Sequence, residues 1–190
     1  MEREYMEEKI FEKIDFVVTP FQQGEYENCE FISCNFSNAD LSNTDFISCF
    51  FTNCNLSNIK LYKVVLRDIA FKDCKMLGIQ FDTCNDFGMS FSFENCVLNH
   101  SIFYGTKIKH TRFTNCQLQG IDFSDCDLSN ASFSNCDLFN STFNNTNIEK
   151  ADLSTAINFS IDPEKNKVKK AKISMNGLAG LLNKYNIDIV

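Results

Sequence analysis

A chain of 190 residues with 44% hydrophobic residues, 20 of them Phe, can bury the core of one domain with at most a short appendage. Its charge of −7 is uneven: residues 1–160 carry 12 Lys and Arg against 22 Asp and Glu, whereas residues 161–190 carry 6 Lys against 3 acids. An acidic body argues against direct nucleic-acid binding and leaves basic protein surfaces as natural partners.

No apolar run approaches the length that crosses a bilayer, so no membrane partner is expected. The charged start "MEREYMEEKIFEKIDF" lacks the apolar stretch of a secretory signal, and a cytoplasmic location is the expectation. Residues 1–10 are expected to be an N-terminal cap segment. From Phe11 to Phe81 a large apolar residue then recurs at every fifth position, and the same spacing resumes from Leu98 to Leu153. The step from Phe81 to Leu98 is 17 residues, which places one two-residue register slip at about residues 82–96.

A period of five is neither that of a helix nor that of a strand. It fits one side of a square coil in which four units close a layer and the next layer stacks about 4.8 Å away. The expected fold is an all-β solenoid, a quadrilateral parallel β-helix over residues 11–157. Its seven or so coils would make a rod roughly 34 Å long. Phe31, Phe36, Phe51, Phe71, Phe113, Phe123 and Phe133 are expected among its core fillers.

The residue two places before each centre must also point inward and be small. All ten cysteines occupy that phase, if Asp86 is counted as the centre displaced by the slip. Cys34, Cys54, Cys74, Cys96, Cys116 and Cys136 then form one column. Their phase is shared with Ala39, Thr44, Ser101 and Ala131, so they read as small buried hydrophobes before disulfides or zinc ligands.

Little supports catalysis. His100 and His110 fall on outward positions in different units with no nucleophile beside them. No glycine-rich phosphate loop is present. Asp122, Asp125 and Asp127 lack the glycine turn and closing Glu of a calcium loop. No enzyme activity, cofactor or metal is expected. Beyond the repeats, Asn176 is placed to cap a helix carrying Leu178, Leu181, Leu182 and Tyr185 on one face, before an apolar end from Ile187 to Val190. Residues 158–190 are expected to cap the coil and join two copies.

"CNFSNADLSNTDF" and "IDFSDCDLSNASFSNCDLFNSTF" resemble the pentapeptide repeat consensus, in which Ala-Asp/Asn-Leu-X-X recurs. The resemblance covers residues 11 to about 157 and implies a right-handed helix with a short C-terminal helical cap. The tail resembles the cap of the gyrase-protecting subgroup, the Qnr-type quinolone resistance proteins and a microcin-immunity protein. The interruption "KMLGIQFDTCNDFGMSFSFENC" is similar to the latter. This sequence lacks the two longer loops of many Qnr proteins.

The resemblance implies a non-enzymatic homodimer that mimics DNA, binds DNA gyrase or topoisomerase IV and protects it from quinolones or a microcin. Asp40, Asp45, Asp122, Asp125, Asp127 and Asp137 are the candidate acidic partner surface. Leu178, Leu181, Leu182, Tyr185 and Ile187 are the candidate dimer interface. The repeat register puts Asp122, Asp125 and Asp127 on one corner, with Asp40 and Asp45 four coils earlier, roughly 19 Å away. A belt from Lys60 to Arg112 holds most of the basic residues between these acidic stretches. The alternative reading is a scaffold that presents a face to an unrelated protein.

Overall fold

A computed structural model describes residues 4–188. Its strands are short: β1 (Glu4–Glu7), β2 (Ile10–Glu12), β3 (Gly24–Glu27), β4 (Glu30–Ile32), β5 (Asp45–Ile47), β6 (Phe50–Thr52) and β7 (Val65–Arg67). They continue as β8 (Ile69–Lys72), β9 (Phe91–Glu94), β10 (Arg112–Thr114), β11 (Ser132–Ser134), β12 (Asp152–Leu153) and β13 (Lys172–Ile173). Every pairing among the described strands is parallel; residues 20 apart face each other, as in Phe31 and Phe51, except across the interruption, where Phe71 faces Phe93, 22 residues on. Four residue columns rise along the chain, so four pentapeptide sides close one coil, and the whole is a parallel β-solenoid of about eight turns.

Two of the four faces are sheets. The first holds β1, β3, β5 and β7; the second runs from β2 through β4, β6, β8, β9, β10, β11 and β12 to β13. The other two are ladders of single bridges. Asp15, Asn35, Asn55, Lys75, Val97, Gln117, Asp137 and Ile157 mark the third face, and Gln80, Ile102, Asp122 and Thr142 mark part of the fourth.

Each corner needs a residue in the left-handed region, yet the chain has few glycines. Asn takes 13 of the 25 described non-glycine positions with positive φ, because its short polar side chain tolerates that conformation. At many corners an Asp or Asn one place before the centre accepts the backbone N–H two residues on. Asp40 Oδ1 takes Ser42 N at 3.0 Å, and Asp122 Oδ1 takes Ser124 N at 2.9 Å.

The interior is stacked phenylalanine. On the second face Phe11, Phe31, Phe51, Phe71, Phe93, Phe113 and Phe133 lie 4.7–5.2 Å apart between ring centroids. Phe36 of the third face and Phe123 of the fourth are fully buried. Phe113 meets Phe103 of the opposite face edge-on at 90°, so rings stack along a column and interlock across the interior. Nine of the ten thiols are buried; Cys34 N donates to Cys54 Sγ one coil on.

The structure departs from the sequence expectations in three places. First, stacking starts at Glu4 and continues to Ile173, beyond the expected 11–157. The tail of that range was illegible because Asn158 and Pro163 occupy central positions, and Phe159 and Ile161 fill the core in their place. Second, the slip does not keep Asp86 as a centre. Asp86 is exposed, Cys84 is only half-buried, and residues 85–88 loop outward before Met89, Phe91 and Phe93 turn in. Third, Asn176 does not cap the tail. It lies inside a 3₁₀ turn, Met175–Gly177, whose N-cap is Ser174, accepting Gly177 N at 3.2 Å.

The tail then forms α1 (Ala179–Leu182) and a second 3₁₀ turn, Asn183–Tyr185. It sits close under the last coil. A Cβ on Gly180 would lie 2.4 Å from Phe159 O, and Ile161 N donates to Gly180 O at 2.9 Å. Lys184 Nζ pins the tail to Asp162 and Glu164, each at 2.7 Å. Ile189 and Val190 of the expected apolar end lie outside the described residues, as do residues 1–3.

Candidate partner-binding surface

The candidate acids fall on three faces. Asp122 is on the fourth face, Asp127 on the first, and Asp125 at the corner between them, at φ +57°. Asp40 pairs with Lys60 on the fourth face and Asp45 with Val65 on the first. Asp137 stands apart on the third face, where Gln119 Nε2 at 2.6 Å and Asn158 Nδ2 at 2.8 Å hold its carboxylate.

These carboxylates are corner-builders as well as charges. Asp127 Oδ1 accepts Ser129 N at 3.1 Å, and Asp137 Oδ1 accepts Phe139 N at 3.1 Å. Asp40 is held below the ordinary carboxylate range by the Ser42 hydroxyl and N–H. Partial burial pushes Asp127 and Asp137 up, but their hydrogen bonds outweigh it and both end lowered; Lys109, 3.3 Å from Asp127, adds to the effect.

The acidic corner is therefore interrupted. Lys60 lies beside Asp40, and Lys107 and Lys109 flank Asp127. A second acidic group stands where the sequence reading stopped short. Glu4, Glu7, Glu25 and Glu27 stack with Asp45 on the first face through β1, β3 and β5. The expected cap boundary at residue 10 hid the first two, although Glu7 lies one 20-residue coil before Glu27, and Glu4 one coil before Gly24, next to Glu25.

Residues 6–81 and 86–153 match the pentapeptide repeat region. The chain is a pentapeptide repeat protein. The two matched stretches stop and restart at the looped-out segment, so the interruption interrupts the family pattern as well as the coil. No curated protein sequence matches the chain.

Among solved structures, a trypsin-treated variant of QnrB1, a plasmid-mediated fluoroquinolone resistance protein, is 17% identical over 100% of this chain and 99% of its own, with a TM-score of 0.65. Full-length QnrB1 is 18% identical over 97% of this chain and 100% of its own, at 0.56. These likenesses concern the fold. HetL, a pentapeptide repeat protein involved in heterocyst differentiation regulation in the cyanobacterium Nostoc, is 14% identical over 92% of this chain and 84% of its own, at 0.38.

In this pentapeptide repeat protein the remaining sequence candidates separate by exposure. Leu178, Tyr185 and Ile187 are exposed on the tail, whereas Leu181 and Leu182 are half-buried and Leu181 packs on the core. Tyr185 also donates its hydroxyl to Glu164 at 3.1 Å. His100 and His110 hold left-handed corners, and the His100 ring leaves no room for a Cβ on Gly120. Among the described residues no group of three or more His, Cys, Asp or Glu converges as a metal site, and no helix is long and apolar enough to cross a membrane.

Burial pushes the Cys49 thiol up to about 11 and the Cys126 thiol to about 12. Such thiols stay protonated at neutral pH and make poor nucleophiles.

Proposed function

We propose that the protein is a non-catalytic DNA mimic that binds DNA gyrase or topoisomerase IV in the cytoplasm and protects it from quinolones or a gyrase-poisoning microcin. The observation that carries this reading is the corner of Asp122, Asp125 and Asp127, repeated as Asp40 and Asp45 four coils away along the rod. Carboxylates repeated along one edge of the rod offer a DNA-binding saddle two patches of negative charge in line. Complementary potentials of this kind chiefly speed association and fix register. The fold likeness to a fluoroquinolone resistance protein supports the same direction. The exposed Leu178, Tyr185 and Ile187 support assembly of two copies about a twofold axis through the tail.

The scaffold reading is favoured by a separate observation: Lys60, Lys107 and Lys109 interrupt the acidic corner, and Asp137 is on another face. One experiment separates the two. Gyrase supercoiling is measured with a quinolone, with and without the protein, alongside an Asp122→Asn/Asp127→Asn variant. Asn retains the oxygen that accepts Ser124 N and Ser129 N, so charge is removed while the corner is kept. Protection that weakens in the variant and with rising salt is expected. Supercoiling that is the same with and without the protein sinks the proposal and leaves the scaffold reading.

A further inference from the structure

The looped-out segment sits among charges of the other sign. It begins where the first sheet ends at β7, and the chain bulges through Asn85, Asp86 and Phe87 to Gly88. Asn85 Oδ1 accepts Phe87 N at 3.0 Å, a local turn that sets the ring at the tip. Phe87 is 74% exposed in a protein whose other phenylalanines are mostly interior. One side of the ring lies over the Arg67 guanidinium, 5.5 Å from the centroid. Gly88 holds φ +72°, and a Cβ there would lie 3.4 Å from Arg67 Nε, so the loop lies close to the arginine. That Nε is buried and has no hydrogen-bond partner among the described residues.

Cations surround this tip. Lys63 and Arg67 line a groove of about 550 Å³ with Asn43, Asp45, Val65 and Asn85, just above the loop. On the coil below, Lys107, Lys109 and Arg112 are all exposed. The acids on this ground are few: Asp45, Asp86 on the loop itself, Asp68 hydrogen-bonded by Ser90 at 3.0 Å, and Asp127 paired with Lys109. Beyond the strip the sign reverses, with Glu25 and Glu27 above and Glu149 below.

We propose that the loop and the cations above and below it form a docking site for a short acidic segment of a partner protein. An apolar residue of the segment would meet the open side of Phe87. Carboxylates on either side of it would meet Lys63 and Arg67 above and Lys107 and Arg112 below. The positive strip is about two coil spacings high, roughly 10 Å. A nucleic acid fits poorly, because one duplex turn spans about 34 Å and would run onto the carboxylates at both margins. This site adjoins the acidic corner at Lys107 and Lys109 and takes a partner segment of the opposite charge to the one the corner would take.

The test is fluorescence anisotropy with the full chain and a labelled nonapeptide, four glutamates on each side of one leucine. A glutamine version of the peptide and a nine-nucleotide single-stranded DNA serve as comparison probes. The expected result is saturable binding of the glutamate peptide alone. Binding should fall about tenfold in Lys107→Glu/Arg112→Glu and about threefold in Phe87→Ala, and should weaken as salt rises. All three side chains are exposed, so melting curves should be unchanged. Lys107→Gln/Arg112→Gln gives a milder pair should the reversals unfold the coil. No binding of the glutamate peptide, equal binding of the glutamine peptide, tighter binding of the DNA, or indifference to both variants at matched stability overturns the proposal.

Discussion

At the scale of single residues, the same side chains that look functional in the sequence are parts of the turn. Asp40, Asp122, Asp127 and Asp137 each accept a backbone N–H two residues on, and a change there alters the coil as well as the charge. Asp152 shows what this means for stability. The Ser154 hydroxyl and N–H lower its pKa, and Lys172 at 3.1 Å adds to the effect. A carboxyl whose folded pKa lies below its unfolded value stabilises fully above the unfolded value, near 3.9, and loses that contribution as pH falls through the folded one. Unfolding free energy is therefore expected to stay flat from neutral pH to about 5 and fall below about 4. Asp152→Asn should make that fall shallower in urea titrations at stepped pH. Phe123 tests the interior: it is fully buried between Phe103 and Phe143, and Phe123→Ala should cost about 3–5 kcal/mol in urea unfolding.

At the scale of elements, the corners and strands were legible in the sequence because one five-residue rule builds every side. Phe31, Phe51 and Phe113 could be placed in the core from spacing alone. The rule fails where another residue takes over the packing. Phe159 and Ile161 replace Asn158 and Pro163, so the last coil reads as tail, and Phe91 joins Phe93 inside, so the loop reads as a simple slip. The candidate surface was less legible, since the five-residue rule assigns a face but not the neighbours across coils. Lys109 against Asp127 and Gln119 against Asp137 depend on side-chain reach. The tail was seen as a helix but not as a close fit. Gly177 and Gly180 rest on Phe159 with no space for a Cβ, so Gly180→Ala is expected to lower stability by about 1–3 kcal/mol through overpacking. Truncation after Ser174 removes the acceptor for Ile161 N and uncovers Phe159. It should convert the protein into monomer or aggregate, as light scattering would report. A truncated protein that keeps the size of the intact one would remove the assembly role of the tail.

At the scale of the whole molecule, each coil touches only the coils above and below, so stability is close to a sum over neighbours. The first coil has one neighbour, and its Phe11, Phe16 and Phe21 are only half-buried, whereas Phe103 to Phe133 are sealed on both sides. Native-state hydrogen exchange is expected to be slowest in β10 and β11 and fastest in β1 and β2, which are edge strands. Equal protection along the rod would contradict a neighbour-limited stack.

The ring column on the second face passes the loop without a gap: Phe71 to Phe93 is 5.2 Å, the same as Phe51 to Phe71. The two extra residues are thus absorbed as an outward bulge on one side and add no rotation about the long axis. Everything after the bulge keeps its compass bearing. Asp122 and Asp127 point in the directions set by Asp40 and Asp45, as if the interruption were not there. A flat partner lying along the rod can therefore engage both ends at once, with the bulge standing between them as a fixed spacer.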